Sequence, residues 1–127
     1  MCRYSFGFQV EADTPSQTVS AEVRELHMAA PDPALDIDKL AYCVAIAETN
    51  DCTKGMGLTK SNCFGIMAWP NGKRTGKWYA NKEESYADFK RIWLKSYKTF
   101  PTYQMAVKWT GGDSTAVWLD HVTSCYY

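Results

Sequence analysis

A glutamate at the end of an apolar helical pattern, followed by a glycine-rich stretch between two cysteines, is where this sequence offers chemistry. In "AIAETNDCTKGMGLTKSNCFGIMAW", residues 45–69, Glu48 closes the pattern and turn-forming residues follow at once. A carboxyl group there sits by the negative end of the helix dipole, which disfavours its ionised form. Cover by the large side chains just beyond adds desolvation in the same direction, so its pKa is expected to rise. A carboxylic acid that stays protonated near neutral pH can give its proton to the leaving oxygen of a glycosidic bond. Position alone also fits an ordinary exposed glutamate near a helix end.

The cysteines add a constraint on the loop. Cys52 and Cys63 bracket the glycine-rich stretch, and a disulfide between them would close and stiffen it. In the chain-entropy picture a short closed loop of this kind contributes roughly 3 kcal/mol. Free buried thiols in a reducing compartment are the alternative. Cys43 and Cys125 are the candidate second pair, with Cys2 left over. There is no C-x-x-C motif, and His27 and His121 lie far from any cysteine cluster, so no metal site and no cofactor are expected.

The elements that must position Glu48 are mostly helical. Asp36 suits an N-cap, and Ile37, Leu40, Ala41, Val44 and Ala47 keep helical apolar spacing up to Glu48. Residues 50–80 read as a loop-rich lobe in which "PNGK" forms a turn or short hairpin. Asn81 and Glu84 have capping-box spacing and open a helix whose buried stripe is Tyr86, Phe89, Trp93 and Tyr97, with Ile92 beside it. Another helix is expected to start near Pro101 and stop at Gly111 and Gly112. A last one follows Asp113, carrying Ala116, Val117, Leu119 and Val122. The expectation is a mostly α (α+β) domain over residues 37–127, with one irregular loop or hairpin lobe. Residues 1–36 read as an N-terminal arm or cap. Within it "TVSAEVRELHMAA" places Val19, Val23 and Leu26 on one helical face before Pro31 and Pro33 break the pattern.

Composition narrows the functional classes. The 127 residues carry 14 basic and 14 acidic side chains, so global charge gives no pull toward nucleic acid or an anionic membrane. The stretch from Lys73 to Lys82 is locally basic, with Lys73, Arg74 and Lys77, and reads first as a solvated turn and second as an anion-facing rim. No apolar run approaches the roughly 20 residues a membrane span needs. "MCRYSFGFQVEADTPSQ" lacks a basic start followed by an apolar stretch, so no secretory leader is expected within this chain; a removed one stays open. Five Trp, eight Tyr and five Phe exceed what a core of this size usually absorbs. Surplus aromatics suit stacking on sugar rings, or packing.

"AIAETN" followed by "SNCFGIMAW" resembles the helix end and loop of bacterial autolysin-type glucosaminidases, and is similar to the corresponding loop of lytic transglycosylases. "KWYANKEESYADFKRIW" resembles the glucosaminidase pattern of an aromatic, a short turn and "E-E-S" opening a helix, and "AVKWTGGDSTAVWLDHV" falls where these families place two late helices. The resemblance spans residues 37–124 with the motifs in order. It implies a lysozyme-like fold and a secreted or cell-envelope peptidoglycan glycosidase, a monomer acting on the β-1,4 link between N-acetylmuramic acid and N-acetylglucosamine. In that frame Glu48 matches the general acid, and Ser61, Asn62, Phe64, Gly65, Ile66 and Met67 match the cleft floor. For Phe64 and Ile66, packing beneath the loop is equally compatible. Trp69, Tyr79 and Trp109 are candidate sugar contacts, with burial as core the alternative for each. Thr49 stands where the transglycosylases carry Ser and is expected among the substrate contacts. No second carboxylate is singled out; Asp51 and Asp113 are candidates without a selecting feature. A non-catalytic peptidoglycan- or chitin-binding module is therefore the alternative from a different class, and a small disulfide-stabilised inhibitor or effector ranks behind both.

Overall fold

The computed structural model describes residues 30–127. The expected amphipathic stretch with Val19, Val23 and Leu26 lies outside the described residues, as do Cys2 and His27. Where the described chain begins, the Asp32 N–H donates to the Lys98 carbonyl at 2.9 Å. The fold is mostly helical with one small two-stranded sheet, as the sequence pattern implied.

Helix α1, Ile37–Thr49, starts at Asp36, whose carboxylate accepts the Lys39 N–H at 3.1 Å. Leu40, Ala41, Val44, Ala45 and Glu48 lie along its buried side. It ends because three consecutive non-glycine residues, Asn50, Asp51 and Cys52, take positive φ values of 48°, 56° and 69°. Such residues cost roughly 1 kcal/mol each in the left-handed region. The turn is held by hydrogen bonds back to α1: Asn50 N–H to Ile46, Asp51 N–H to Ala45, and Thr53 and Lys54 N–H to Thr49.

The glycine-rich stretch is not wholly irregular. Gly55–Lys60 forms a short helix, α2, ended by Ser61 at φ 53°. A Cβ on Gly57 would stand 2.5 Å from the Cys52 Cα, so glycine is what lets α2 lie directly on the turn after α1. Strands β1, Met67–Ala68, and β2, Thr75–Gly76, then pair antiparallel with Met67 opposite Gly76. A 3-10 turn at Pro70–Gly72 joins them, where "PNGK" implied a hairpin.

Helix α3, Lys82–Ile92, is capped by Asn81, which accepts the Glu84 N–H at 2.9 Å. The box is one-sided: Glu84 turns back to Ala80 rather than to Asn81. The chain continues through a π turn, Trp93–Tyr97. Helix α4, Tyr103–Thr110, starts later than expected. Thr102 supplies the cap by accepting the Met105 N–H at 3.2 Å, which leaves Pro101 ahead of the helix instead of in its first turn. Gly111, at φ 74°, closes α4. Helix α5, Thr115–Tyr126, buries Trp118 and Val122, whereas Ala116 and Val117 face outward. Of the apolar residues expected on this helix, Val122 is buried and Leu119 packs against the core.

Helix α1 packs mainly on α5, and α5 on α4. The Cys43–Cys125 disulfide, with Cα atoms 5.5 Å apart, ties α1 to α5, and Cys52–Cys63, at 4.5 Å, closes the loop after α1. Between the helices runs an aromatic core. Phe64 stacks on Phe89 at 4.5 Å and Trp93 on Tyr97 at 4.1 Å. Trp109 meets Phe89, Trp93 and Tyr97 edge-on. Among the described residues most aromatics are thus packed in or against the core, while Tyr42, Trp69, Trp78, Tyr103 and Tyr127 are exposed.

Candidate functional site

Glu48 is the one buried carboxylate of α1, only 3% exposed. Its Oε2 accepts two indole N–H groups, from Trp109 at 2.9 Å and Trp118 at 3.0 Å. Three helices therefore converge on one oxygen: α1 brings the acid, α4 and α5 the donors. Burying a carboxylate without such partners is costly, so the two indoles are what make this position tenable. Trp118 escaped the sequence reading. The signal was present: Cys125 and Val122 lie seven and four residues beyond Trp118, which puts all three on one helical face.

The next residue, Thr49, is also buried, and its hydroxyl is a junction. It donates to the Cys63 carbonyl at 2.8 Å and accepts the Cys52 N–H at 2.8 Å. Both ends of the disulfide-closed loop are thereby fastened to the residue beside Glu48. Serine could make the same pair of bonds, which explains why either hydroxyl residue fits there.

Asn62 is a buckle for the loop that follows. Its side-chain amide donates to the Ile66 carbonyl at 2.8 Å and the Lys77 carbonyl at 3.0 Å, and its oxygen accepts the Phe64 and Ile66 N–H groups at 3.3 and 3.0 Å. Gly65, at φ 68°, allows the tight return this requires. Phe64 and Ile66 are completely buried, so packing beneath the loop is their role. Asn62 and Trp109 likewise show no surface. As folded, none of these four can touch a sugar, and the expected contacts from Asn62, Phe64 and Trp109 are replaced by support of the loop and of Glu48. Ser61 and Tyr79 are half-buried, Met67 nearly covered, and Trp69 is 43% exposed.

The Tyr79 hydroxyl donates to Asp88, which also pairs with Lys77 and Arg91. This cluster fixes the segment after β2 to α3. The carboxylates considered as partners for Glu48 are otherwise engaged or remote. Asp51 pairs with Lys82 at 2.8 Å and accepts the Tyr86 hydroxyl. Burial alone would raise the Asp51 pKa, but those two hydrogen bonds and the Lys82 charge outweigh it and hold the carboxyl below its usual range. Asp113 is exposed in the turn between α4 and α5. Among the described residues no group of three His, Cys, Asp or Glu side chains could hold a metal ion, and no helix is long and apolar enough to cross a membrane.

Comparisons with protein-family models, with curated proteins and with solved structures find no match to this chain.

Proposed function

We propose that this protein is a lysozyme-like peptidoglycan glycosidase of the secreted or cell-envelope compartment, with Glu48 as general acid. The observation that carries the reading is the double indole clamp on Glu48 Oε2 at the end of α1, directly beside the disulfide-closed loop. In this reading the Glu48 carboxyl, held by the two indoles, carries the transferable proton. That proton passes to the glycosidic oxygen as the C–O bond to the anomeric carbon breaks, and the leaving sugar departs as a free hydroxyl. The engagement of Asp51 with Lys82 and Tyr86 favours a route needing no second protein carboxylate. The substrate's own acetamido oxygen then bonds to the anomeric carbon, and water or the 6-hydroxyl displaces it while giving its proton back to the Glu48 carboxylate.

A second reading has its own support. At 3% exposure Glu48 reaches a substrate only after its cover shifts, and an acid so enclosed also suits a non-catalytic wall-binding module. Glu48→Gln separates the two. It preserves shape and removes the proton donor, so release of soluble fragments from purified cell walls is expected to fall at least about 100-fold. Undiminished release by the variant would remove Glu48 from the chemistry. Wall binding without release by the parent protein would favour the module.

A further inference from the structure

Charge is segregated along this chain. The stretch from Cys52 to Tyr79 contains Lys54, Lys60, Lys73, Arg74 and Lys77, whereas all 14 acidic residues lie outside it. This stretch is also the α2–hairpin lobe, and it carries much of the exposed apolar surface: Leu58 at 72%, Trp78 at 68% and Trp69 at 43%. Lys60 lies 5.4 Å from the centre of the Trp78 ring, and its hydrogen bonds go to neutral oxygens, the Gly76 carbonyl and the Thr75 hydroxyl. Lys54 and Lys73 are exposed. Trp69 lies two residues beyond Met67 and Trp78 two beyond Gly76, on opposite sides of the Met67–Gly76 pair.

From this we propose that the lobe is a docking face for polysaccharide that bears carboxylates, distinct from the Glu48 centre. Trp69 and Trp78 lie flat against separate sugar rings, since an exposed indole gains most by covering a partly apolar, flat ligand. The lysines around them answer the carboxylates carried on the strand. Lys77 is paired with Asp88, but two exposed tryptophans in a stretch whose own charges are all positive, with Lys54 and Lys73 exposed, match a ligand both saccharide and anionic, which neutral chitin is not. The inference rests on the proposed wall substrate for its ligand class, and its test reads binding apart from cleavage.

The experiment is co-sedimentation of the full chain with three insoluble polymers, at low and high salt: purified peptidoglycan, the same peptidoglycan with its carboxylates amidated, and chitin. Binding to native peptidoglycan is expected to be at least about tenfold tighter than to the other two, and to weaken as salt screens the charges. Lys54→Gln with Lys73→Gln should remove most of that preference while leaving the amidated polymer bound as before. Trp78→Ala should weaken binding to both peptidoglycan forms. All these positions are exposed, and unchanged thermal melts confirm the fold. Equal, salt-insensitive binding to the three polymers would overturn the inference. So would tighter binding to single-stranded DNA or anionic vesicles than to native peptidoglycan. Salt-dependent binding without release of soluble sugars keeps this docking face and sinks the glycosidase reading. Release from native and amidated walls alike, without preferential binding, does the reverse.

Discussion

Glu48 is held by two donors that each cost the protein a tryptophan. A net hydrogen bond contributes about 0.5–1.5 kcal/mol, and deleting the donor to a buried carboxyl oxygen costs about 1–3 kcal/mol of desolvation. Trp118→Phe is expected to lower unfolding free energy by roughly 2 kcal/mol or more in urea titration, and to reduce wall cleavage in the same variant. A loss within experimental error would mean that the indole bond does not support the acid. Tyr97 makes the opposite case. Its hydroxyl is buried with no hydrogen-bond partner, and burial pushes its pKa upward. Tyr97→Phe keeps the ring stacked on Trp93 and deletes the unpaired group, so stability should rise by about 1 kcal/mol; a clear loss would reveal a partner. Asp88 tests the charge network. Burial pushes its pKa up, but bonds from Tyr79, Lys77 and Arg91 prevail and hold it low. A depressed folded pKa means that Asp88 stabilises the protein above its unfolded pKa of about 3.9, and that this is lost as pH falls through the lower folded value. Asp51, also held low, acts in the same direction. The melting temperature should fall below about pH 4, and Asp88→Asn should shallow that fall while lowering stability at neutral pH.

The disulfides act on different elements and should fail differently. Cys43–Cys125 spans 82 residues and joins α1 to α5, and Cys52–Cys63 spans 11 and shapes the loop beside Glu48. The chain-entropy picture assigns roughly 4–5 kcal/mol to the long closure and roughly 3 kcal/mol to the short one. Replacing Cys43 and Cys125 by Ala should therefore cost more stability, and replacing Cys52 and Cys63 more activity per degree of melting temperature lost. Equal activity losses at matched stability would show that the short clip does not shape the site. The same elements show what sequence could and could not reveal. Apolar spacing with Asp36 and Asn81 as caps gave α1 and α3, because local hydrogen bonds decide those starts. The short helix α2 was read as loop, since its glycines are there for close packing on Cys52, a tertiary cause invisible to propensity. Trp118 shares one face of α5 with Val122 and Cys125, which the spacing shows, but its pairing with a carboxylate 70 residues earlier lies in no window of sequence.

For the molecule as a whole, the arrangement is a helical body whose core aromatics end on one acid, beside a cationic lobe. The position of Glu48 was legible because a helix end, a turn and a cysteine pair are local features. The roles of its neighbours were not, because burial separates a sugar contact from a support and is set by the whole fold. Asn62, Phe64 and Trp109 proved to be supports. The central claim is that Glu48 donates the proton that breaks a glycosidic bond. It is tested most directly by mass spectrometry of the soluble products from purified peptidoglycan, digested in parallel by the parent chain and by folded Glu48→Gln. The account predicts muropeptides cut at a single type of β-1,4 linkage from the parent and essentially none from the variant. The same products in equal yield from both proteins, or no products from either, would contradict it.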